Sequence, residues 1–88
     1  MTAGVTTIKL RYFASIREAL GTGETIEVAP GATVASVRDA LIARGGAYAS
    51  ALARGRALRC ALDQAMCDEG ELVGDAAELA FFPPVTGG

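Results

Sequence analysis

The chain has 88 residues, carries a net charge of −2 at pH 7 and is 51% hydrophobic. This length is sufficient for one domain with a single hydrophobic core. The acidic balance argues against nucleic-acid binding, which needs clustered lysine and arginine to neutralise phosphates. No apolar run is long enough to cross a bilayer, and the first residues lack the basic and apolar regions of a signal peptide, so we expect a cytoplasmic protein that does not contact membranes.

Residues that commonly carry catalysis or bind metals are scarce in this chain. It contains no histidine and two cysteines, Cys60 and Cys67. These are too few for a disulfide framework or an ordinary zinc site, so we expect no bound metal and two free, structural thiols. Without histidine, the commonest general base and the usual nucleophile pairs are also missing. Any chemistry must therefore use another group.

The first half of the chain predicts two strands and one long helix. Residues 5–13 alternate between apolar and polar side chains, which is typical of a half-buried strand. A short helical turn follows and is closed by Gly21, and residues 23–28 predict a second strand that pairs with the first. Residues 32–46 repeat apolar side chains at helical spacing, with Thr33 as the N-cap and Gly45 just after the helix end.

The second half of the chain predicts mainly strands. Residues 47–55 are ambiguous and fit a second short helix, whereas residues 57–63, 65–67 and 78–82 predict three strands. This order indicates an α+β domain with one main helix packed across a mixed sheet, and ubiquitin-like β-grasp folds share it. Periodicity alone does not choose that topology among the α+β alternatives. We place the domain at residues 1–82 and an extended tail at residues 83–88.

The last predicted strand, with the sequence ELAFF, places its two aromatic residues on opposite faces. Its alternation directs Leu79 and Phe81 to the core and Phe82 to the other side of the sheet. Two interpretations of Phe82 remain open. It is either an isolated exposed aromatic that packs on Phe13 or an arginine stem, or an anchor that binds a partner protein.

The tail PPVTGG is suited to reaching into a partner. Pro83 and Pro84 cannot donate to a strand ladder, so they end the strand and favour an extended path away from the domain. Six residues span roughly 20 Å when extended, which is enough to enter a deep pocket. Gly87 and Gly88 have no Cβ and can pass through a narrow channel, so we interpret the carboxylate of Gly88 as the reactive group.

The ending AFFPPVTGG resembles that of the small subunit of molybdopterin synthase, the MoaD family of ubiquitin-like sulfur carriers. The segment KLRYFASIREALG near the start and the run from LDQ to the last residue also resemble that family, so the likeness covers most of the chain. One departure is Asp63-Gln64, where the family often has Asn-Gln. This difference puts only a local turn contact in doubt.

The resemblance implies a function for Gly88 as the site of sulfur attachment. In the family, an E1-like enzyme uses ATP to adenylate the terminal carboxylate, and a persulfide donor then converts it to a thiocarboxylate. The large subunit of molybdopterin synthase takes up the tail and transfers the sulfur to cyclic pyranopterin monophosphate, forming the dithiolene. The resemblance thus implies the sulfur-donating subunit of a heterotetrameric enzyme whose catalytic side chains lie on the large subunit. It implies no cofactor bound to this chain.

A set of residues is predicted to bind the partner. If the first and last strands pair, Phe13 and Arg59 join the root of the tail in one surface. The predicted partner-binding residues are Phe82, Pro83, Pro84, Val85, Thr86, Gly87, Phe13 and Arg59. Three alternatives remain: a sulfur carrier for thiazole, cysteine or tRNA thiolation, a ubiquitin-like protein modifier, and a binding module whose tail is never activated.

Overall fold

The computed structural model describes residues 5–84, and their secondary structure follows the predicted order. The short helical turn predicted between the first two strands is a seven-residue helix, and the segment that the sequence left ambiguous, residues 47–55, overlaps a second short helix. The elements are β1 (Thr6–Tyr12), α1 (Ala14–Leu20), β2 (Gly23–Val28), α2 (Val34–Ile42), α3 (Gly46–Ala51), β3 (Arg59–Leu62), β4 (Ala65–Cys67) and β5 (Glu78–Phe82). Among the described residues, no helix is long and apolar enough to span a membrane.

Within residues 5–84, the five strands form one mixed sheet in the order β2-β1-β5-β3-β4. β5 runs parallel to β1, and all other neighbours are antiparallel. The last strand therefore lies in the centre of the sheet, between the first strand and β3. The α+β fold class is confirmed.

The core lies between one face of the sheet and the helices. β1 contributes Ile8, Leu10 and Tyr12, which alternate with exposed or half-exposed residues as the period-2 pattern predicts. The helices cover this face with apolar residues from α1, α2 and α3 and from the segment after α3, namely Ile16, Val34, Val37, Leu41, Ala51 and Leu52. The opposite face of the sheet is free of helices in the described residues.

α2 begins where the sequence predicts and ends earlier. The Thr33 hydroxyl accepts a hydrogen bond from the Ser36 backbone N–H at 3.1 Å, and the Thr33 N–H donates to the Ser36 hydroxyl at 2.9 Å, which completes a capping box. The prediction that Gly45 directly follows the helix end is wrong. α2 ends at Ile42 with Ala43 as its C-cap, and Gly45, with φ 77°, is instead the N-cap of α3.

Arg38 joins α2 to the segment that follows α3. It is only 3% exposed although it lies on the apolar stripe of α2, four residues after Val34. Its guanidinium donates to the backbone carbonyls of Leu52 at 2.8 Å, Ala53 at 2.5 Å and Arg56 at 3.1 Å. It also pairs with the Glu69 carboxylate at 2.5 Å. These bonds satisfy the carbonyl of Leu52, the C-cap of α3, and hold two carbonyls of the segment that follows it.

The Glu24 side chain accepts three hydrogen bonds from separate parts of the chain. Its carboxylate accepts from the hydroxyls of Tyr12 at 3.0 Å and Tyr48 at 2.7 Å and from the Arg44 guanidinium at 2.8 Å. Burial alone would raise the pKa of Glu24, but these donors outweigh it and hold the pKa below its ordinary value. Glu24 therefore ties β2 to the end of β1, to the α2–α3 connection and to α3 itself.

The connection between β3 and β4 is a two-residue turn formed by Asp63 and Gln64. Both residues have positive φ, 48° and 71°, as a type I′ hairpin turn requires. The Asp63 carboxylate accepts hydrogen bonds from the backbone N–H groups of Ala77 at 2.9 Å and Glu78 at 3.0 Å. The aspartate at this position thus positions the first residue of β5.

Candidate partner-binding site

The strand phase predicted for β5 is confirmed. Leu79 and Phe81 are completely buried against the helices, and Phe82 is half-buried on the opposite face of the sheet. The hydrogen-bonded neighbours on both sides set this orientation, because Phe81 is the register partner of Tyr12 in β1 and of Cys60 in β3. Phe82 is therefore held by the sheet at the point where β5 ends.

Phe13 lies beside Phe82 on the outer face. The two ring centroids are 6.3 Å apart and the ring planes meet at 86°, which is a favourable edge-to-face contact. The guanidinium of Arg11 lies over the Phe13 ring, 5.4 Å from its centroid. Phe13 is still 37% exposed, so the aromatic pair presents apolar surface to solvent.

Arg59 completes the predicted set on this face. It is the Cα register partner of Phe82 across the β3–β5 ladder, and its side chain is exposed. Pairing of the first and last strands, on which the prediction of a joint surface depended, is observed. We refer to Phe13, Arg59 and Phe82 together as the docking surface.

Two alanines and an exposed methionine lie beside the docking surface on the same sheet. One row across the sheet consists of Arg11, Ala80, Ala61 and Met66 as successive register partners. The two alanines are buried and Met66 is 57% exposed. Met66 was missing from the sequence prediction, although the alternation of β4 with Cys67 facing inward already indicates that Met66 faces outward.

The charge of this outer face differs from that of the whole chain. Lys9, Arg11 and Arg59 are exposed or half-exposed cations on the face, although the chain has a net charge of −2. Glu78 neutralises part of this charge, since its carboxylate lies 3.7 Å from the Arg11 guanidinium. A matching partner surface would therefore combine apolar pockets for the aromatic pair with acidic groups.

The predicted tail begins directly after the docking surface. Pro83 and Pro84 follow β5 outside any helix or strand and are half-buried. The other predicted tail residues, Val85, Thr86, Gly87 and Gly88, lie outside the described residues. The geometry thus brings together Phe13, Arg59, Phe82 and the root of the tail.

A mixed sheet of this order, with helices on one face and the last strand in its centre, defines the ubiquitin-like β-grasp class. Ubiquitin from Caldiarchaeum subterraneum shares the fold with a TM-score of 0.59 and 20% identity over 97% of this chain and all of that one. The chain belongs to the ThiS family, whose profile matches residues 10–88.

Two relatives bear more directly on function. The molybdopterin synthase sulfur carrier subunit of Escherichia coli is 40% identical over 81 residues, which make up 92% of this chain and 99% of the relative. The crystal structure of small archaeal modifier protein 1 from Haloferax volcanii superposes with a TM-score of 0.71 and 26% identity, covering 91% of this chain and 99% of that chain.

Proposed function

We propose that this chain is the sulfur-carrier subunit of a molybdopterin synthase. The observation that carries the proposal is the 40% identity to the Escherichia coli subunit of that name across almost the full length of both chains. The β-grasp fold and the outward-facing aromatic pair at the root of the tail support it. The chain would act in the cytoplasm as the sulfur-donating part of an enzyme whose large subunit supplies the catalytic side chains.

In this proposal, the carboxylate of Gly88 carries the sulfur. A carboxylate is a poor electrophile, so an E1-like partner would first join it to AMP from ATP. The resulting mixed anhydride contains a good leaving group: the outer sulfur of a persulfide displaces AMP to give an acyl disulfide, and a second thiol then cleaves its S–S bond, forming a disulfide with the donor and leaving the thiocarboxylate. The chain itself needs neither a general base nor a bound cofactor for this role, since the activating partner binds ATP.

The docking surface would guide the tail into the large subunit. Phe82 is fixed by β5 and by its contact with Phe13, so it provides a rigid apolar anchor just before the two prolines. Arg59 and Arg11 would pair with acidic groups around the partner's pocket. Because both partners need the same tail, the E1-like enzyme and the large subunit would have to bind in succession.

Mass spectrometry of the intact protein tests the proposal. The purified chain is incubated with the E1-like enzyme, ATP, a persulfide donor and a reducing thiol, and its mass is compared with that of an incubation without ATP. Replacement of one terminal oxygen by sulfur is expected only with ATP. Addition of the large subunit and cyclic pyranopterin monophosphate should then return the original mass and yield molybdopterin. A chain that acquires no sulfur, or that keeps it in the presence of large subunit and substrate, would contradict the proposal.

Conjugation to other proteins is a second candidate function, favoured by the structural similarity to small archaeal modifier protein 1. A modifier would use the same activated carboxylate to form an isopeptide bond. Lys9 is the chain's only lysine, so chains of this protein would have a single linkage type. Recovery from cells of lysine peptides of other proteins joined by an isopeptide bond to the C-terminal peptide of this chain, residues 60–88 after trypsin, would support this function, whereas recovery of the thiocarboxylate alone would support the carrier. A sulfur carrier for another pathway would acquire sulfur but fail to complete the molybdopterin reaction.

A further inference from the structure

Cys60 and Cys67 are direct neighbours across the β3–β4 hairpin. They are Cα register partners on the core-facing side of the two strands. Their sulfur atoms lie 3.7 Å apart, and the Cys60 thiol also donates to the Cys67 carbonyl at 3.3 Å. Cα atoms of antiparallel partners are separated by about 4.5–5.5 Å, which lies within the range that disulfides bridge. Rotation of the two side chains is therefore sufficient to bring the sulfurs to bonding distance.

The two thiols differ in how far they are exposed to solvent. Cys60 is 3% exposed, whereas Cys67 is half-buried at the end of an edge strand. Both line an open groove that extends along β4 and the following segment to Glu71. A small disulfide entering this groove would meet Cys67 first. Burial, followed by the hydrogen bond with Cys67, raises the pKa of Cys60 to about 12, so Cys60 carries little thiolate near neutral pH and reacts slowly.

We propose that Cys60 and Cys67 form a reversible dithiol–disulfide site that exchanges with low-molecular-weight disulfides. The Cys67 thiolate attacks one sulfur of a small disulfide RSSR, which gives a mixed Cys67–S–S–R disulfide and releases one RSH after protonation. Cys60, on losing its proton to solvent, attacks the Cys67 sulfur and releases the second RSH. The two cysteines are oxidised by loss of two electrons and two protons, and RSSR is reduced to two RSH.

The disulfide would fasten β4 to β3. β4 has only three residues and lies at the edge of the sheet, so its hydrogen bonds to β3 are its main attachment. The bond would close the hairpin at the end opposite its turn. Cys60 is also one residue from Arg59 of the docking surface and is the register partner of Phe81, so the redox site lies behind the partner-binding face. This inference does not depend on the chemistry of Gly88.

Incubation with cystamine, a small disulfide without carboxylates, tests the proposal. The intact protein should lose about 2 Da, corresponding to two hydrogens, and peptide mapping without reductant should recover Cys60 joined to Cys67. Dithiothreitol should restore the original mass. Amide hydrogen exchange at Cys67, the β4 residue whose backbone is hydrogen-bonded to Cys60 of β3, should be slower in the oxidised than in the reduced protein, because β4 is fastened.

Two variants separate the formation of the mixed disulfide at Cys67 from its attack by Cys60. Cys60→Ala should stop at the mixed disulfide and keep one cysteamine group on Cys67, whereas Cys67→Ser should remain unmodified. Should Cys60→Ala fail to fold, a time course of the unaltered protein provides the same information, because the cysteamine adduct should appear first and then disappear. The proposal is overturned if the unaltered protein keeps two alkylatable thiols or accumulates a stable cysteamine adduct on Cys67.

Discussion

Phe82 at the end of β5 meets Phe13 edge to face, and the Phe13 N–H donates to the carbonyl of Phe81 at 3.3 Å. The residues that follow β1 and precede the tail are thus held together by a ring contact and a backbone hydrogen bond. Because β1 and β5 are parallel, both strands end at the same edge of the sheet. The aromatic pair therefore marks the place where the tail leaves the domain.

Alanine substitution should separate the roles of the two adjacent aromatics. Phe81→Ala removes a completely buried ring and should lower the free energy of unfolding by about 3–5 kcal/mol. Phe82→Ala loses mainly the contact with Phe13 and should cost about 1 kcal/mol of stability. Its affinity for the large subunit should fall by at least about tenfold, because truncation of an anchor commonly costs about 2 kcal/mol of binding. Urea unfolding and calorimetric binding measure both quantities, and equal affinity of Phe82→Ala and unaltered protein would remove Phe82 from the docking surface.

The length of the tail should be critical for activation. Deletion of Gly88, or addition of one residue after it, should leave the urea midpoint unchanged, because the core described within residues 5–84 is built from residues up to Phe81. ATP-dependent adenylation by the E1-like enzyme should be lost, since the reactive carboxylate is removed or displaced. Thr86→Ser keeps the length and should be adenylated normally. Adenylation of either length variant would show that the reactive group is not the carboxylate of Gly88.

Loss of Arg38 should destabilise the fold strongly. Arg38→Met leaves three backbone carbonyls and the Glu69 carboxylate without this donor in a buried setting, so we expect a loss of about 3–5 kcal/mol of unfolding free energy. Arg54→Ala is the matched control, because Arg54 also pairs with Glu69 but is 47% exposed. Its loss should cost at most about 1 kcal/mol. Similar urea midpoints for the two variants would contradict a special role of the buried arginine.

Glu24 should contribute a pH-dependent part of the stability. Its pKa is lower in the folded than in the unfolded chain, so its contribution is complete above the unfolded value of about 4.3 and is lost as the pH falls through the folded value. Glu24→Gln should therefore be less stable than unaltered protein at pH 7, and the difference should shrink in acid. Glu18→Gln, at an exposed position of α1, is the control for the removal of one surface carboxylate and should change the free energy of unfolding by at most about 0.5 kcal/mol at pH 7. Urea titrations between pH 3 and pH 7 measure these differences, and a constant difference for Glu24→Gln would show that its charge is not responsible.

Local patterns predicted much of the fold and the faces on which the two aromatic residues of β5 lie. Alternation in ELAFF assigned Phe81 to the core and Phe82 to the outer face, and Thr33 marked the start of α2. The end of α2 was misplaced because a glycine after an apolar helical repeat is typical of a helix end, whereas Gly45, with φ 77° and ψ −169°, precedes a second helix. A local pattern cannot distinguish these two uses of one glycine.

Contacts between distant segments were harder to predict. Nothing near Glu24 in the sequence indicates that Tyr12 and Tyr48 donate to it, because these partners are brought together only by the tertiary fold. The pairing of Cys60 and Cys67, in contrast, could have been predicted from the local sequence. Both residues lie equally far from the two-residue turn at Asp63 and Gln64, so recognising that turn would have been sufficient to predict their contact.

The central position of β5 determines how the domain responds to mechanical load. A partner that pulls on the tail would draw β5 along its own axis, past β1 on one side and β3 on the other. The force would then act along the strands, so the hydrogen bonds of β5 to β1 and to β3 would have to break together. An edge strand pulled sideways would instead lose its hydrogen bonds one after another. A tail that follows a central strand can thus be bound and released by successive partners while the domain stays folded.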